Sequence, residues 1–313
     1  MGIPKGGIAF FDSGIGGLTV LAACEKYLHG EVVYYYGDNG HAPYGNLSPK
    51  KIRRLVFKVF RKFCRLRVRV AVIACNTVTA ICIEQLRKKY KFPIIGAEPA
   101  IYSAAKRGGQ VWILATQATC KSERFSLLCE RAKGDFKNTT LTPVPCEHLA
   151  GEIEKNLFEQ NHDYTILLPK GTPNSIVLGC THYIYIEEKL KEHYQCEIFH
   201  GNEGIARRLS EVLSQENGKN REERPPVGIK RIFLGFLTTM EKFLSKNVQK
   251  RGNTNKSFPI SAGKPLYNKG RMKIYFLGKY GKNNEKIYKK TFVCGILGES
   301  GSIGEKSGQK SQN

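Results

Sequence analysis

No stretch of this sequence is apolar for long enough to cross a bilayer. A run such as 68–74 has the length of a strand and is interrupted by Arg69, whereas a spanning helix takes about 20 residues. The amino terminus, MGIPKGGIAFFDSGIGG, lacks the apolar core of a secretory signal. A cytoplasmic protein with no membrane partner is expected. Closely paired cysteines are absent as well. Ten cysteines stand at 24, 64, 75, 82, 120, 129, 146, 180, 196 and 294, none in a Cys-x-x-Cys pair. Structural zinc sites use such pairs, so no metal is expected, and most of these thiols should pack as small apolar side chains.

Acidic residues are scarce: 50 Lys and Arg stand against 27 Asp and Glu, a net charge of +23. The excess is uneven. Residues 216–313 carry 21 − 7 = +14 with no aspartate and 13 of the 32 glycines, while residues 1–215 carry 29 − 20 = +9. This break separates a basic, glycine-rich C-terminal part from the rest. With 41% hydrophobic residues in 313, the chain can bury cores for two domains.

From Gly7 to about Leu213, short apolar runs alternate with longer helical patterns. IAFFD and EVVYYYGD read as strands ending in Asp12 and Asp38, and VRVAVIACNT as a strand running into Cys75-Asn76-Thr77. Between them, SPKKIRRLVFKVFRKFCRL reads as a basic amphipathic helix, with Ser48 as its cap and Pro49 at its first position. AICIEQLRKKY is the next helix and FPIIGAEP a fourth strand. The series then restarts: QVWILATQAT and LTPVPC are strands, KSERFSLLCERAKG and HLAGEIEKNLFEQ helices, and SIVLGCTHY a strand ending at Cys180-Thr181-His182. Strand–helix alternation of this kind implies parallel α/β sheets. ACNT and GCTH hold the same place, the carboxyl end of an apolar strand, once in each half. Ligands of open parallel sheets bind outside such ends, so Asp12-Ser13, 75–77, 116–119 and 180–182 should gather at one cleft.

Two thiols facing one cleft suit a particular chemistry. Moving the α-proton of an amino acid from one face to the other needs one deprotonated and one protonated group on opposite sides. A thiol with an ordinary pKa near ~8.5 can serve as either. Cys75 and Cys180 have short polar neighbours that could hold an ammonium and a carboxylate, although an inert strand-end thiol remains the alternative at both. Cys24, Cys64, Cys82, Cys129 and Cys196 fall on apolar faces or surface helices and read as packing. The DSGIGG segment lacks the Lys-Ser/Thr ending of a phosphate loop and reads as a tight strand-to-helix turn.

FDSGIGGLTV, GDNGHAPYG, IACNTVTA, IIGAEPA, LATQATCKS and LGCTHY occur in the order seen in glutamate racemases, so residues 7–213 resemble the aspartate/glutamate racemase superfamily. The resemblance implies two pseudo-symmetric α/β domains with parallel-type central sheets, an active site in the cleft between them, and no cofactor or metal. Cys75 and Cys180 match its catalytic cysteines, the first acting on the D-enantiomer and the second on the L-enantiomer. Asp12 and His182 match the side chains assisting them, and Glu154 a carboxylate near the site. Asp12-Ser13, Tyr44-Gly45, Asn76-Thr77 and Thr181-His182, with Thr119, match substrate-binding positions. The activity implied is interconversion of L- and D-glutamate, supplying D-glutamate for peptidoglycan synthesis, with a homodimer as the assembly. An aspartate or other amino-acid racemase is the nearest alternative; His182 argues for glutamate, since relatives using aspartate more often resemble Cys-Thr-Glu there.

The sequence also departs from that pattern. Ile184 stands where the family usually has proline, and LLPKGTPNS looks foreign to it. The domains expected are 1–97 with 208–251, then 98–207, with 252–313 as a basic tail of low order. The apolar positions of 229–250, from Ile232 to Leu244, should cover the first sheet. The aromatics in KIYFLGKYGKNNEKIYKK leave nucleic-acid binding by the tail as a second class of function.

Overall fold

The computed structural model describes residues 6–28, 31–157, 162–219, 231–236, 267–269 and 272–278. In chain order, its first half runs β1 (Ile8–Asp12), α1 (Gly17–Cys24), β2 (Val33–Gly37), α2 (Pro49–Arg65), β3 (Val70–Ile73), α3 (Asn76–Lys89), β4 (Ile94–Gly96) and α4 (Ile101–Ala105). The second half follows with β5 (Gly109–Ala115), α5 (Gln117–Cys120), α6 (Glu123–Asp135), β6 (Thr139–Pro145), α7 (Leu149–Asn156), β7 (Ser175–Gly179), α8 (Glu187–Tyr194) and β8 (Glu197–His200). Then come α9 (Asn202–Lys219), β9 (Arg231–Phe236), β10 (Tyr267–Lys269) and β11 (Met272–Gly278).

The strands form two sheets, ordered β10-β11-β9-β2-β1-β3-β4 and β6-β5-β7-β8. All neighbours are parallel except β10 and β11. The cores β2-β1-β3-β4 and β6-β5-β7-β8 share one topology, so the two halves are pseudo-symmetric α/β domains. Every residue of β1, β2, β3 and β7 is buried, as continuous apolar strands covered on both faces must be. On one face of the first sheet, Ile8, Phe10, Val33 and Tyr35 pack with Leu18 and Leu21 of α1 and Ile205 and Leu209 of α9. On the other, Ala9, Phe11, Tyr34 and Tyr36 meet α2 and α3.

Local chemistry explains the helices that frame the cleft. The Ser48 hydroxyl accepts from the Lys51 amide at 3.4 Å, and Pro49 opens α2, as the sequence indicates. Its Ile52, Leu55, Val56, Val59, Phe60 and Phe63 make the buried stripe. α3 starts earlier than the apolar pattern suggests. Cys75 is its cap and Asn76 its first residue, because Thr77 and Thr79 are themselves buried and extend the packed face. Arg87, Lys88 and Lys89 close the helix at the end where cations are favoured.

Beyond α9, the expectation for 229–250 changes in kind. Ile232, Phe233, Leu234 and Phe236 do not lie over the sheet; they form β9 within it, paired in parallel to β2. Leu237, Phe243 and Leu244 lie outside the described residues. Within 252–313, Tyr267–Lys269 and Met272–Gly278 are strands that extend the sheet beyond β9; the KNNEKIYKK portion lies outside the described residues. No described helix is long and apolar enough to cross a membrane.

Candidate active site

In each domain the site forms where the strand order reverses. β1 and β5 correspond, as do β3 and β7. Asp12 ends β1 and Cys75 follows β3; Thr116 follows β5 and Cys180 follows β7. These are switch points of doubly wound sheets, where the loops diverge and leave a crevice. The crevices face each other, and both thiols are buried.

The first thiol donates from Cys75 Sγ to Ser13 Oγ at 3.5 Å. Burial pushes it up to about 12; the Asp12 carboxylate adds to that, and the Ser13 hydroxyl and the Val78 amide only partly offset it. At neutral pH Cys75 is therefore a thiol. Asp12 is itself buried, which raises its carboxyl to about 6 against the opposing pull of His182 and the Gly14 amide. The Gly14 N–H donates to its Oδ2 at 2.9 Å and the Thr181 hydroxyl to its Oδ1 at 3.3 Å.

The second thiol has a different partner. Cys180 caps a short 3₁₀ turn, Thr181–Ile186, and its Sγ lies 3.8 Å from His182 Nδ1. The other ring nitrogen is 2.8 Å from Glu154 Oε2, and Glu154 Oε1 accepts from Asn39 Nδ2 at 3.1 Å. Burial disfavours charge on His182, but its bonds to Cys180 and Glu154 outweigh it and hold the imidazole well above its usual pKa.

Polar side chains from both domains fill the space around the thiols. Thr77 of α3 meets Thr116 and Thr119 of the second domain at 2.9 and 3.2 Å, and the latter two lie 2.9 Å apart. The Tyr44 hydroxyl donates to Asp38 Oδ2 at 2.6 Å, and Asp38 also faces His41 Nδ1 at 3.0 Å. Asn76 Oδ1 is buried with no partner among the described residues. Beside Cys180, between Asn76, Ala97 and Asn202, is a space of about 10 Å³, room for about one water. Two larger grooves, of about 870 and 930 Å³, run along the outside of α3 and α6 and hold neither thiol.

All the residues expected from sequence lie in this one cleft: Cys75, Cys180, Asp12, Ser13, Tyr44, Gly45, Asn76, Thr77, Thr119, Glu154, Thr181 and His182. Gly45 is there for its size, since a Cβ on it would come 2.7 Å from Thr116 Cβ. Two glycines of DSGIGG have a reason beyond the tight turn expected. Neither Gly14 nor Gly16 adopts a left-handed φ; instead a Cβ on Gly16 would stand 2.4 Å from Thr181 Oγ1. They are small because the other domain presses against them. Thr116, expected at the cleft from its strand end, lies there against Thr77; Asp38 and Asn39 went unassigned in the sequence, although Asp38 also sits at a strand end and could have been found by that criterion. The remaining described cysteines are free thiols, with Cys24, Cys82, Cys129 and Cys146 buried. Among the described residues no group of three or more His, Cys, Asp or Glu is arranged to hold a metal ion.

The sequence profile of the Asp/Glu/Hydantoin racemase family matches residues 16–209. The chain belongs to that family. Among curated members of the Asp/Glu/hydantoin racemase family, it is 37% identical to a glutamate racemase of Clostridium botulinum (strain Loch Maree) over 234 residues. That match covers 72% of this chain and 90% of the relative. A glutamate racemase of Bifidobacterium adolescentis is 36% identical over 219 residues, 66% of this chain and 84% of the relative. The glutamate racemase of Thermus thermophilus, solved with β-chloro-D-alanine, aligns with a TM-score of 0.61 at 25% identity, covering 78% of this chain and 92% of that one. Like the solved racemase, the chain has two α/β domains.

Proposed function

We propose that this racemase interconverts L- and D-glutamate by passing the α-proton between Cys180 and Cys75, and that it supplies D-glutamate for peptidoglycan synthesis in the cytoplasm. One observation carries the mechanism: the thiols come from equivalent positions of opposite domains, and each has its own acid/base partner. His182 and Glu154 serve Cys180; Ser13 and Asp12 serve Cys75. The glutamate relatives, at 36–37% identity, support the substrate.

The charges set the direction in which the closed site is poised. Cys180, beside the imidazolium, is the base for L-glutamate: its thiolate takes the α-proton, and the electron pair delocalises into the α-carboxylate. Cys75, held as a thiol, delivers its proton to the opposite face and gives D-glutamate. For the return reaction Cys75 must lose its proton first, and the Asp12 carboxylate beside it is the base placed to take it. The amides at the start of α3 would serve the α-carboxylate, and the unpartnered Asn76 Oδ1 the ammonium. The Thr77, Thr116 and Thr119 hydroxyls, which hydrogen-bond to one another, can turn to the side-chain carboxylate. Contacts such as Thr77–Thr116, Thr181–Asp12 and Asn39–Glu154 cross the cleft, so the domains must part to admit substrate.

The test is to incubate the purified chain with either glutamate enantiomer in the presence of a chelator and follow optical rotation. Rotation should fall to zero from both sides, and aspartate should be unchanged. Faster racemisation of aspartate, or dependence on an added metal or pyridoxal phosphate, would refute the reading.

A further inference from the structure

The outer face of α2 has no part in the racemisation chemistry and carries a pattern of its own. Between Asp38 and Glu84 the sequence holds ten Lys and Arg and no acidic residue. On α2 the buried stripe faces the sheet. Lys51, Arg54, Lys58, Arg61 and Arg65 follow one another at spacings of three and four and are all exposed, so they line one side of the helix. Lys51 and Arg65 lie 14 positions apart, roughly 21 Å along the helix. Lys89 of α3 joins them, its ammonium 5.3 Å from the ring of Phe57.

A solvated helix face ordinarily intersperses acids at these spacings, because like charges three or four residues apart destabilise a helix. Here none does so, and among the described residues none of the five cations on α2 makes an ion pair. Lys62, half-buried beside the row, shows the crowding: burial first, then Lys58 and Arg65, lower its pKa.

We propose that this face docks on the phosphate backbone of double-stranded nucleic acid, without reading sequence. A duplex offers one charge per ~1.7 Å of axis, about twelve along the row. The ring beside the row, Phe57, is partly buried beneath the Lys89 ammonium and leaves no open platform on which unpaired bases could stack. It also has no apolar residue to insert into a membrane: the large hydrophobics exposed among the described residues are Tyr102, Leu127 and Ile166, all in the second domain. This row comes from a different stretch of the sequence than the basic C-terminal part and is independent of the racemase reading.

The experiment is fluorescence anisotropy of the full chain with a labelled random-sequence DNA duplex, titrated at salt concentrations between about 50 and 200 mM. Contact with five phosphates predicts a log–log salt slope of about −4.5, an affinity loss of roughly 500-fold across that range. The combined variant Arg54→Glu, Lys58→Glu, Arg61→Glu should bind at least about 10-fold more weakly and flatten the slope by about 3. Its racemase activity and circular dichroism should be unchanged. The corresponding glutamine variant should show a smaller loss of the same kind. Unaltered affinity and slope in the glutamate variant would overturn the proposal, assigning any binding to the C-terminal part. So would the absence of salt-dependent binding by the parent chain, or its preference for anionic vesicles over duplex at equal phosphate.

Discussion

Gly14 lies so close to Glu154 that a Cβ at position 14 would stand 2.6 Å from its Oε2 and 3.0 Å from His182 Nε2. One domain's loop thus leaves only enough room for the other domain's imidazole–carboxylate pair. Gly14→Ala should push Glu154 from His182 while leaving the backbone unstrained. The expected outcome is a kcat lower by about 10- to 100-fold, with the melting temperature nearly unchanged. Near-normal kcat would show that the contact can relax without cost.

Glu154→Gln removes the carboxylate that holds His182 charged. Because the equilibrium constant of racemisation is one, kcat/KM must fall equally in both directions, by about 10²-fold or more. The asymmetry appears elsewhere. The primary deuterium isotope effect should rise for L-glutamate, whose proton goes to Cys180, and rise less for D-glutamate. Equal increases would mean that Glu154 does not serve Cys180 in particular.

Asp12 links stability to pH. Its buried carboxyl titrates near 6 instead of its ordinary 3.8, so the folded state holds the proton more tightly than the unfolded chain does. Its contribution is most favourable below about pH 4 and is lost as pH rises through 6, a difference of about 3 kcal/mol. Asp12→Asn keeps an acceptor for the Gly14 amide and removes the buried charge. At pH 8 the variant should be more stable than the parent by up to that amount, at pH 4 by little, and it should lose most activity at both. Urea denaturation at the two pH values is the check; a variant less stable at pH 8 would contradict the assignment.

What could be read in the sequence follows from where the information is local. Strand ends announce themselves, because an apolar run stops and a polar residue begins; Asp12, Cys75 and Cys180 were visible for that reason. Ser48-Pro49 opened α2 by a rule confined to four residues. The start of α3 was misplaced because buried Thr77 and Thr79 do not look apolar. Asn39 could not be found at all, since its role comes from Glu154, 115 positions away. The size requirement at Gly14 and Gly16 is likewise set by residues of the other domain, which no local pattern contains.

We propose that the first domain comprises residues 1–97 with 208–251, and that 252–313 is not needed for the chemistry. Every candidate site residue precedes Leu213. Ending the chain at Arg251 removes β10 and β11 and leaves β9 as the edge of the sheet, whereas ending it at Gln215 removes β9 as well and exposes β2. The longer chain should racemise glutamate with reduced stability, and the shorter should aggregate. Inactivity of the longer one would place β10 and β11 within the indispensable domain.

The central claim is that two thiols share one proton-transfer reaction, and α-deuterium incorporation tests it most directly. In deuterated water the parent chain should convert L-glutamate to α-deuterated racemate. Cys75→Ala and Cys180→Ala should each reduce that turnover by about 10³-fold or more, since neither face can then complete its transfer, while circular dichroism confirms an intact fold. Near-normal turnover in either alanine variant would contradict the two-thiol account.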